Sequence, residues 1–114
     1  MTDAERMTKA YLEAVYFTDT GDGDQPDADA QLTPLFKARA WADCRNFIHA
    51  YGSLIKEAGA TIEQAGHDLW LTRNGHGAGF WDRPEIYGED LAQELTRVAG
   101  AMGSVESEFE ETAH

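Results

Sequence analysis

Gly66 to Glu85 reads Gly-His-Asp-Leu-Trp-Leu-Thr-Arg-Asn-Gly-His-Gly-Ala-Gly-Phe-Trp-Asp-Arg-Pro-Glu, and this stretch decides the fold that the sequence predicts. Residues 67–73 are rich in leucine, tryptophan and threonine, which indicates a β-strand with Leu69 and Leu71 on one face and Asp68, Trp70 and Thr72 on the other. Asn74-Gly75 is a strong signal for a two-residue turn, and a longer loop is equally compatible. Residues 78–82 then form the returning strand. The sequence therefore predicts a β-hairpin over 67–83.

Two helices are predicted before this hairpin. The first covers residues 2–17 and starts at a capping box formed by Thr2 and Glu5. The second covers residues 33–59, because Thr33-Pro34 is a typical helix start and one apolar stripe then continues to the closing glycine. Cys44 lies on this stripe, so we expect a buried, unreactive thiol.

The remaining elements complete an α+β prediction. A short helical turn over 61–66 ends at Gly66, and a last amphipathic helix runs from about Glu89 to Met102. Alternation over 105–109 indicates a final strand. The predicted fold is a single domain over 1–114, in which a three-stranded antiparallel sheet (the hairpin 67–83 plus the strand near 105–109) carries about three helices on one face.

Charge limits the classes of partner. The 114 residues contain 21 acidic and nine basic side chains, a formal net charge of −12. Such a surface repels nucleic acid and anionic membranes and attracts basic proteins. An aromatic platform for single-stranded nucleic acid would also need a basic groove, so core packing is expected for most of the rings, with one available as an interface anchor.

The chain has no apolar run as long as a membrane span, which favours a cytoplasmic location. Whether it is a monomer or a homodimer stays open.

The acidic residues form three clusters in the sequence. If these clusters lie on one side, they would imitate the charge of a nucleic-acid backbone and compete for basic grooves. The alternative is an ordinary solvated surface with an acidic loop over 19–31 and a frayed tail over 110–114. The expected partner-binding residues are Asp19, Asp22, Asp24, Asp27 and Asp29, then Glu89, Asp90 and Glu94, then Glu106, Glu108, Glu110 and Glu111.

Nine residues of the hairpin motif suit recognition or chemistry. A metal site would use His67 with the carboxylate of Asp68 or Asp82, but the spacing matches no zinc pattern and His76 lies at the far end of the hairpin. No nucleophile elbow or phosphate loop is present, so no catalytic residue, metal ligand or cofactor is assigned. In the structural alternative, 67–68 and 82–83 pair to fix the hairpin. The nine residues are His67, Asp68, Trp70, Arg73, Asn74, His76, Trp81, Asp82 and Arg83.

Residues 64–83, Gln-Ala-Gly-His-Asp-Leu-Trp-Leu-Thr-Arg-Asn-Gly-His-Gly-Ala-Gly-Phe-Trp-Asp-Arg, resemble a segment of small acidic proteins of unknown function encoded by phages and other mobile elements. The likeness extends more loosely to the whole chain. The regions that differ are the loop at 19–32 and the C-terminal tail. The resemblance implies a phage-type context, in which small acidic proteins often act by binding and blocking a host protein. Together with the acidic charge, this context predicts a non-enzymatic protein that binds and inhibits a basic, nucleic-acid-handling host protein, for example a CRISPR effector. The alternative is a small metal- or ligand-binding protein or hydrolase in which His67, Asp68, Arg73, His76 and Asp82 converge on a pocket.

Overall fold

A computed structural model of the chain describes residues 2–19, 32–74 and 79–105, and 84% of these residues are helical. The described part contains no β-sheet, so the predicted α+β class is wrong and the architecture is all-α. Its elements are α1 (Asp3–Asp19), α2 (Pro34–Glu57), α3 (Ile62–Arg73), a 3₁₀ helix (Phe80–Asp82), α4 (Pro84–Tyr87) and α5 (Glu89–Met102).

The first predicted strand, 67–73, is the C-terminal half of α3. The residues at 62, 65, 66, 69 and 70 are all buried, and their spacing of three, one, three and one is that of a helix face. This period passes through Gly66 without a break. The prediction was wrong because it ended one helix at Gly66 and assigned the next seven residues to a strand.

Gly66 is required by the close packing of α3 against α1. A Cβ atom at this position would lie 2.5 Å from the carbonyl oxygen of Met7 and 3.0 Å from the backbone nitrogen of Tyr11. The two backbones therefore meet directly, which a larger residue would prevent. Glycine has a weak helix propensity, but the close contact between the two helices requires it at this position.

Asn74 caps α3 and does not begin a hairpin turn. Its Nδ2 donates to the carbonyl of Trp70 at 3.0 Å, and its Oδ1 accepts from the backbone N–H of Val105, also at 3.0 Å. Val105, the first residue of the predicted final strand, therefore bonds to a side chain of α3's cap and not to a neighbouring strand. Residues 106–109 lie outside the described residues. The predicted hairpin and final strand are therefore not formed by the residues that the structure describes.

The predicted returning strand is also wrong, because Phe80–Asp82 is a 3₁₀ helix. Gly79 precedes it with φ of +152°, and the Cβ of any other residue there would clash with the side chain of Thr72. The backbone N–H of Phe80 donates to Thr72 Oγ1 at 3.0 Å. A 3₁₀ helix bonded to α3 therefore takes the place of the strand over residues 79–82.

The capping predictions are confirmed. The backbone N–H of Glu5 donates to Thr2 Oγ1 at 3.2 Å, and the N–H of Thr2 donates to Glu5 Oε1 at 3.3 Å. Thr33 caps α2 by accepting from the N–H of Phe36, and Thr61 caps α3 by accepting from the N–H of Gln64. Helix α1 extends to Asp19, so the first residue of the predicted acidic loop is helical, while 20–31 and the predicted tail 110–114 lie outside the described residues.

Aromatic rings form the centre of the core. Trp70 is 2% exposed and meets Tyr11 edge to face, with ring centroids 5.5 Å apart. Phe80 stacks on Phe47 at 5.7 Å and contacts the ring of Tyr87 at 5.2 Å. These contacts join α1 and α3 on one side, and α2 with the 79–88 segment on the other. Among the described helices, none has the length and apolarity needed to cross a membrane.

Candidate functional site

A buried carboxylate organises the middle of the motif. Asp68 is 0% exposed, and its Oδ1 accepts from Arg83 Nε at 2.8 Å. Its Oδ2 accepts from the hydroxyl of Tyr87 at 2.7 Å. The Nε2 of Gln64, one turn earlier on α3, lies 3.1 Å from both carboxylate oxygens. We call these four residues the Asp68 cluster.

The Asp68 cluster offsets the cost of burying a charge. Removing a carboxylate from water costs several kcal/mol unless a counter-charge and hydrogen bonds replace the water, and Asp68 has both. The hydrogen bond to Asp68 raises the pKa of Arg83 above its ordinary value. Burial, and then the neighbouring carboxylate, raise the pKa of the Tyr87 hydroxyl, which therefore remains a proton donor to Asp68. The cluster fastens 83–87 to α3.

A groove of about 480 Å³ opens beside the Asp68 cluster. His67 is partly exposed there, and its Nε2 lies 4.0 Å from Glu13 Oε2. Arg83 also faces the groove, with 29% of its side chain exposed. The groove is lined by Ala14, Thr61, Glu63, Gln64, His67, Leu71 and Arg83.

Arg73 forms a second polar centre at the other end of α3. Its Nη1 lies 2.8 Å from Asp43 Oδ2 and 3.2 Å from the hydroxyl of Tyr11. Its Nε and Nη2 donate to the carbonyls of Gly103 and Met102, at 2.8 and 3.2 Å. Burial raises the pKa of Tyr11 to about 12, although the nearby guanidinium opposes this shift. Arg73 therefore joins α1 and α2 to the end of α5 and is committed to structure.

The convergence required by a ligand-binding or hydrolytic motif is not found among the described residues. Asp68 and Arg73 are roughly 140° apart around α3 and have separate partners. Asp82 is exposed and His67 faces Glu13, while His76 lies outside the described residues. Within the described ranges, no three His, Cys, Asp or Glu side chains are grouped as metal ligands would be. Asp68 and Arg83 do pair, as the structural alternative expects, but between a helix and a loop.

The described acidic residues divide into paired and exposed ones. Glu94 accepts from Arg97 and from the hydroxyl of Tyr51, so it is engaged within the protein, and the bond from Arg97 lowers its pKa. Glu89 and Asp90 are exposed in the first turn of α5, where the helix dipole favours negative charge. The side chain of Asp19 and the residues Asp22, Asp24, Asp27, Asp29, Glu106, Glu108, Glu110 and Glu111 lie outside the described part.

Trp81 is the exposed ring of the motif. Its side chain is 49% exposed, whereas its neighbour Phe80 is fully buried. Asp82 and Glu85 follow it on the surface, and Glu89 and Asp90 come next in the sequence. We call Trp81, Asp82, Glu85, Glu89 and Asp90 the Trp81 segment.

Sequence reasoning missed the partners that come from far along the chain. Gln64 and Tyr87 were not assigned to the site, although Gln64 lies one helical turn before Asp68 once α3 is continuous. Asp43 and Tyr11 reach Arg73 across 30 and 62 residues, and no local pattern announces such contacts.

Comparisons with known proteins bring no assignment. No family model matches the chain, nor does any curated protein or any solved structure. The charge of the chain and the geometry of its described residues are therefore the basis for a functional proposal.

Proposed function

We propose that this protein is a non-enzymatic, acidic interaction protein that binds a basic surface on a nucleic-acid-handling protein and inhibits it. The proposal rests on one observation: most basic side chains are paired within the protein, whereas several exposed acidic side chains are not. Counting only pairs between described residues, five of the nine basic residues form ion pairs with acidic residues: Arg6, Lys56, Arg73, Arg83 and Arg97. Internal pairing thus consumes much of the positive charge.

Acidic residues outnumber basic ones in three stretches of the sequence. In the Trp81 segment, all four acids are exposed, and none forms an ion pair with another described residue. The stretches 20–31 and 106–114 contain eight acidic residues and no lysine or arginine. A partner with a basic groove would neutralise this charge and release counterions, as it does on binding a nucleic-acid backbone.

Trp81 supports binding to a protein. Charge alone gives fast but weakly specific association, whereas exposed tryptophans at interface centres often supply much of the binding energy. With 49% of its side chain exposed and acids following it, Trp81 suits the apolar anchor of such an interface. The resemblance to phage-encoded proteins makes a host protein in the host cytoplasm, including a defence complex, the partner of choice.

The test is capture of partners from host lysate at low salt, followed by salt steps and by competition with duplex DNA. We expect a basic nucleic-acid-binding protein that DNA displaces. Glu89→Lys with Asp90→Lys should weaken its binding by on the order of tenfold. The matched control, Glu13→Lys with Glu57→Lys, makes the same charge change at exposed positions of α1 and α2 and should have a smaller effect.

Two results would argue against this function. One is a partner that resists both high salt and DNA, since its binding would not depend on mimicry of a nucleic acid. The other is equal loss of affinity in the two double variants, since the effect would then come from net charge and not from the Trp81 segment. Trp81→Ala separates the anchor from the charge, and we expect mainly faster dissociation of the complex.

A further inference from the structure

We propose that the groove bounded by α1, α3 and Arg83 binds a small anion, carrying a carboxylate or a phosphate group, through the η nitrogens of Arg83. This proposal is independent of protein binding by the Trp81 segment. It rests on how Arg83 is held, on what lines the groove and on the pairing of the acids around it.

Arg83 is held in place by its Nε, while its two η nitrogens are available as hydrogen-bond donors to a ligand. Its Nε donates to the buried carboxylate of Asp68 at 2.8 Å, and Asp68 is itself held by Tyr87 and Gln64. The two η nitrogens donate to no acceptor in the described part of the chain. A guanidinium presents its donors in a rigid fork that matches carboxylate and phosphate oxygens. Because Asp68 already fixes the orientation of Arg83, little further side-chain freedom is lost when an anion binds.

The groove has the size and lining of a small-ligand site. Its volume of about 480 Å³ falls in the range of roughly 300–1,000 Å³ that is usual for such sites. Ala14 and Leu71 provide apolar surface, while the Thr61 hydroxyl and the partly exposed imidazole of His67 add polar groups. A ligand with a short apolar body and one anionic end fits this combination.

Local pairing makes an anion acceptable in an acidic protein. Of the carboxylates at the groove, Asp68 is neutralised by Arg83 and Glu63 by Arg6, which holds it with two bonds of 2.8 Å. Glu13 is placed beside His67. Asp82, the neighbour of Arg83 in the sequence, also acts on the guanidinium, but its side chain is exposed to water and salt. More distant acids act weakly, because salt screens exposed charges beyond about 8 Å at physiological ionic strength.

The experiment is an NMR titration of the full chain, observing backbone amides and the arginine Nε–Hε signals. Inorganic phosphate and succinate are added separately, each against sodium chloride at equal ionic strength. We expect saturable shifts at Thr61, Gln64, His67 and Leu71 and at the Nε–Hε of Arg83. A response to phosphate alone or to succinate alone identifies the chemical class, and a response to both identifies a general oxyanion site.

Variants decide whether Arg83 is responsible. Arg83→Lys keeps the charge but loses the fork, and we expect about tenfold weaker binding. Arg45→Lys is the matched control, since Arg45 is an exposed arginine on α2, away from the groove, and its affinity should equal that of the wild type. If Arg83→Lys does not fold, His67→Gln takes its place, because it leaves the Asp68 cluster intact and should weaken binding about threefold. Shifts that sodium chloride reproduces, or that are spread evenly over exposed arginines, would overturn the proposal.

Discussion

Replacing Gly66 with alanine tests the all-α architecture at its tightest point. The new Cβ would lie 2.5 Å from the carbonyl oxygen of Met7, where an ordinary contact is 3.4 Å or more, so α1 must move by about 0.9 Å. The obstacle is backbone, which cannot rotate out of the way as a side chain can. Overpacking of this kind costs about 1–3 kcal/mol.

Helix propensity acts in the opposite direction. Alanine is favoured over glycine within a helix by up to about 1 kcal/mol, so we expect Gly66→Ala to lower the free energy of unfolding by about 1–2 kcal/mol. The melting temperature should fall by roughly 4–8 °C for each kcal/mol lost. Gly100 is the matched control, since it lies in α5 and a Cβ atom there would meet no neighbouring side chain or other helix within 4 Å. Gly100→Ala should therefore be stabilising.

Urea denaturation followed by tryptophan fluorescence measures both variants, with Trp70 as a reporter buried in the core. The reasoning is refuted if Gly66→Ala is stabilised by as much as Gly100→Ala. That result would mean that α1 and α3 do not meet backbone to backbone.

Three further predictions concern buried polar groups. Asp68→Asn should destabilise the fold by about 2–4 kcal/mol in urea titrations, because Arg83 loses its counter-charge, and Tyr87→Phe by only about 1–2 kcal/mol; equal effects would contradict the central role of Asp68. Arg73→Lys should speed hydrogen exchange of the last turn of α5, since an ammonium cannot bond all four acceptors of the guanidinium. Burial raises the pKa of Cys44 to about 12 from 9.0, and that of Tyr11 to about 12 from 10.0. Both groups ionise first in the unfolded state, so the stability that Cys44 contributes should be lost from about pH 9 and that of Tyr11 from about pH 10, each by up to about 1.4 kcal/mol per pH unit until about pH 12. Equilibrium denaturation across that range, with Cys44→Ala for comparison, checks the sign.

Local signals in the sequence were reliable where they rest on local chemistry. Thr33 followed by proline starts α2, and the buried Cys44 lies on its predicted apolar stripe. Glu89 and Asp90 open α5, and Gly103 ends it with φ of +81°. Each of these features depends on hydrogen bonds or burial within a few residues.

The hairpin prediction was wrong because Gly66 and Asn74 are each compatible with more than one kind of local structure. A glycine after a helical turn predicts the end of the helix, but the role of Gly66 is set by its contact with α1, which the sequence does not display. Asn74 next to glycine favours a tight turn, yet the same amide can cap a helix and accept a distant N–H. For the candidate site, the Asp68–Arg83 pair could be anticipated from charge. The groove could not, because it depends on where α1 lies relative to α3.

The fastening of the chain on both sides of 75–78 has a consequence for protein engineering. Asn74 is bonded to Trp70 and Val105, and Phe80 to Thr72, so each end of the interval has its own bonds to the described helices. Arg83 then secures the following segment to Asp68. Because both flanks are bonded to the helical body, we expect them to stay in place when an epitope tag or a foreign recognition peptide is grafted between residues 74 and 79.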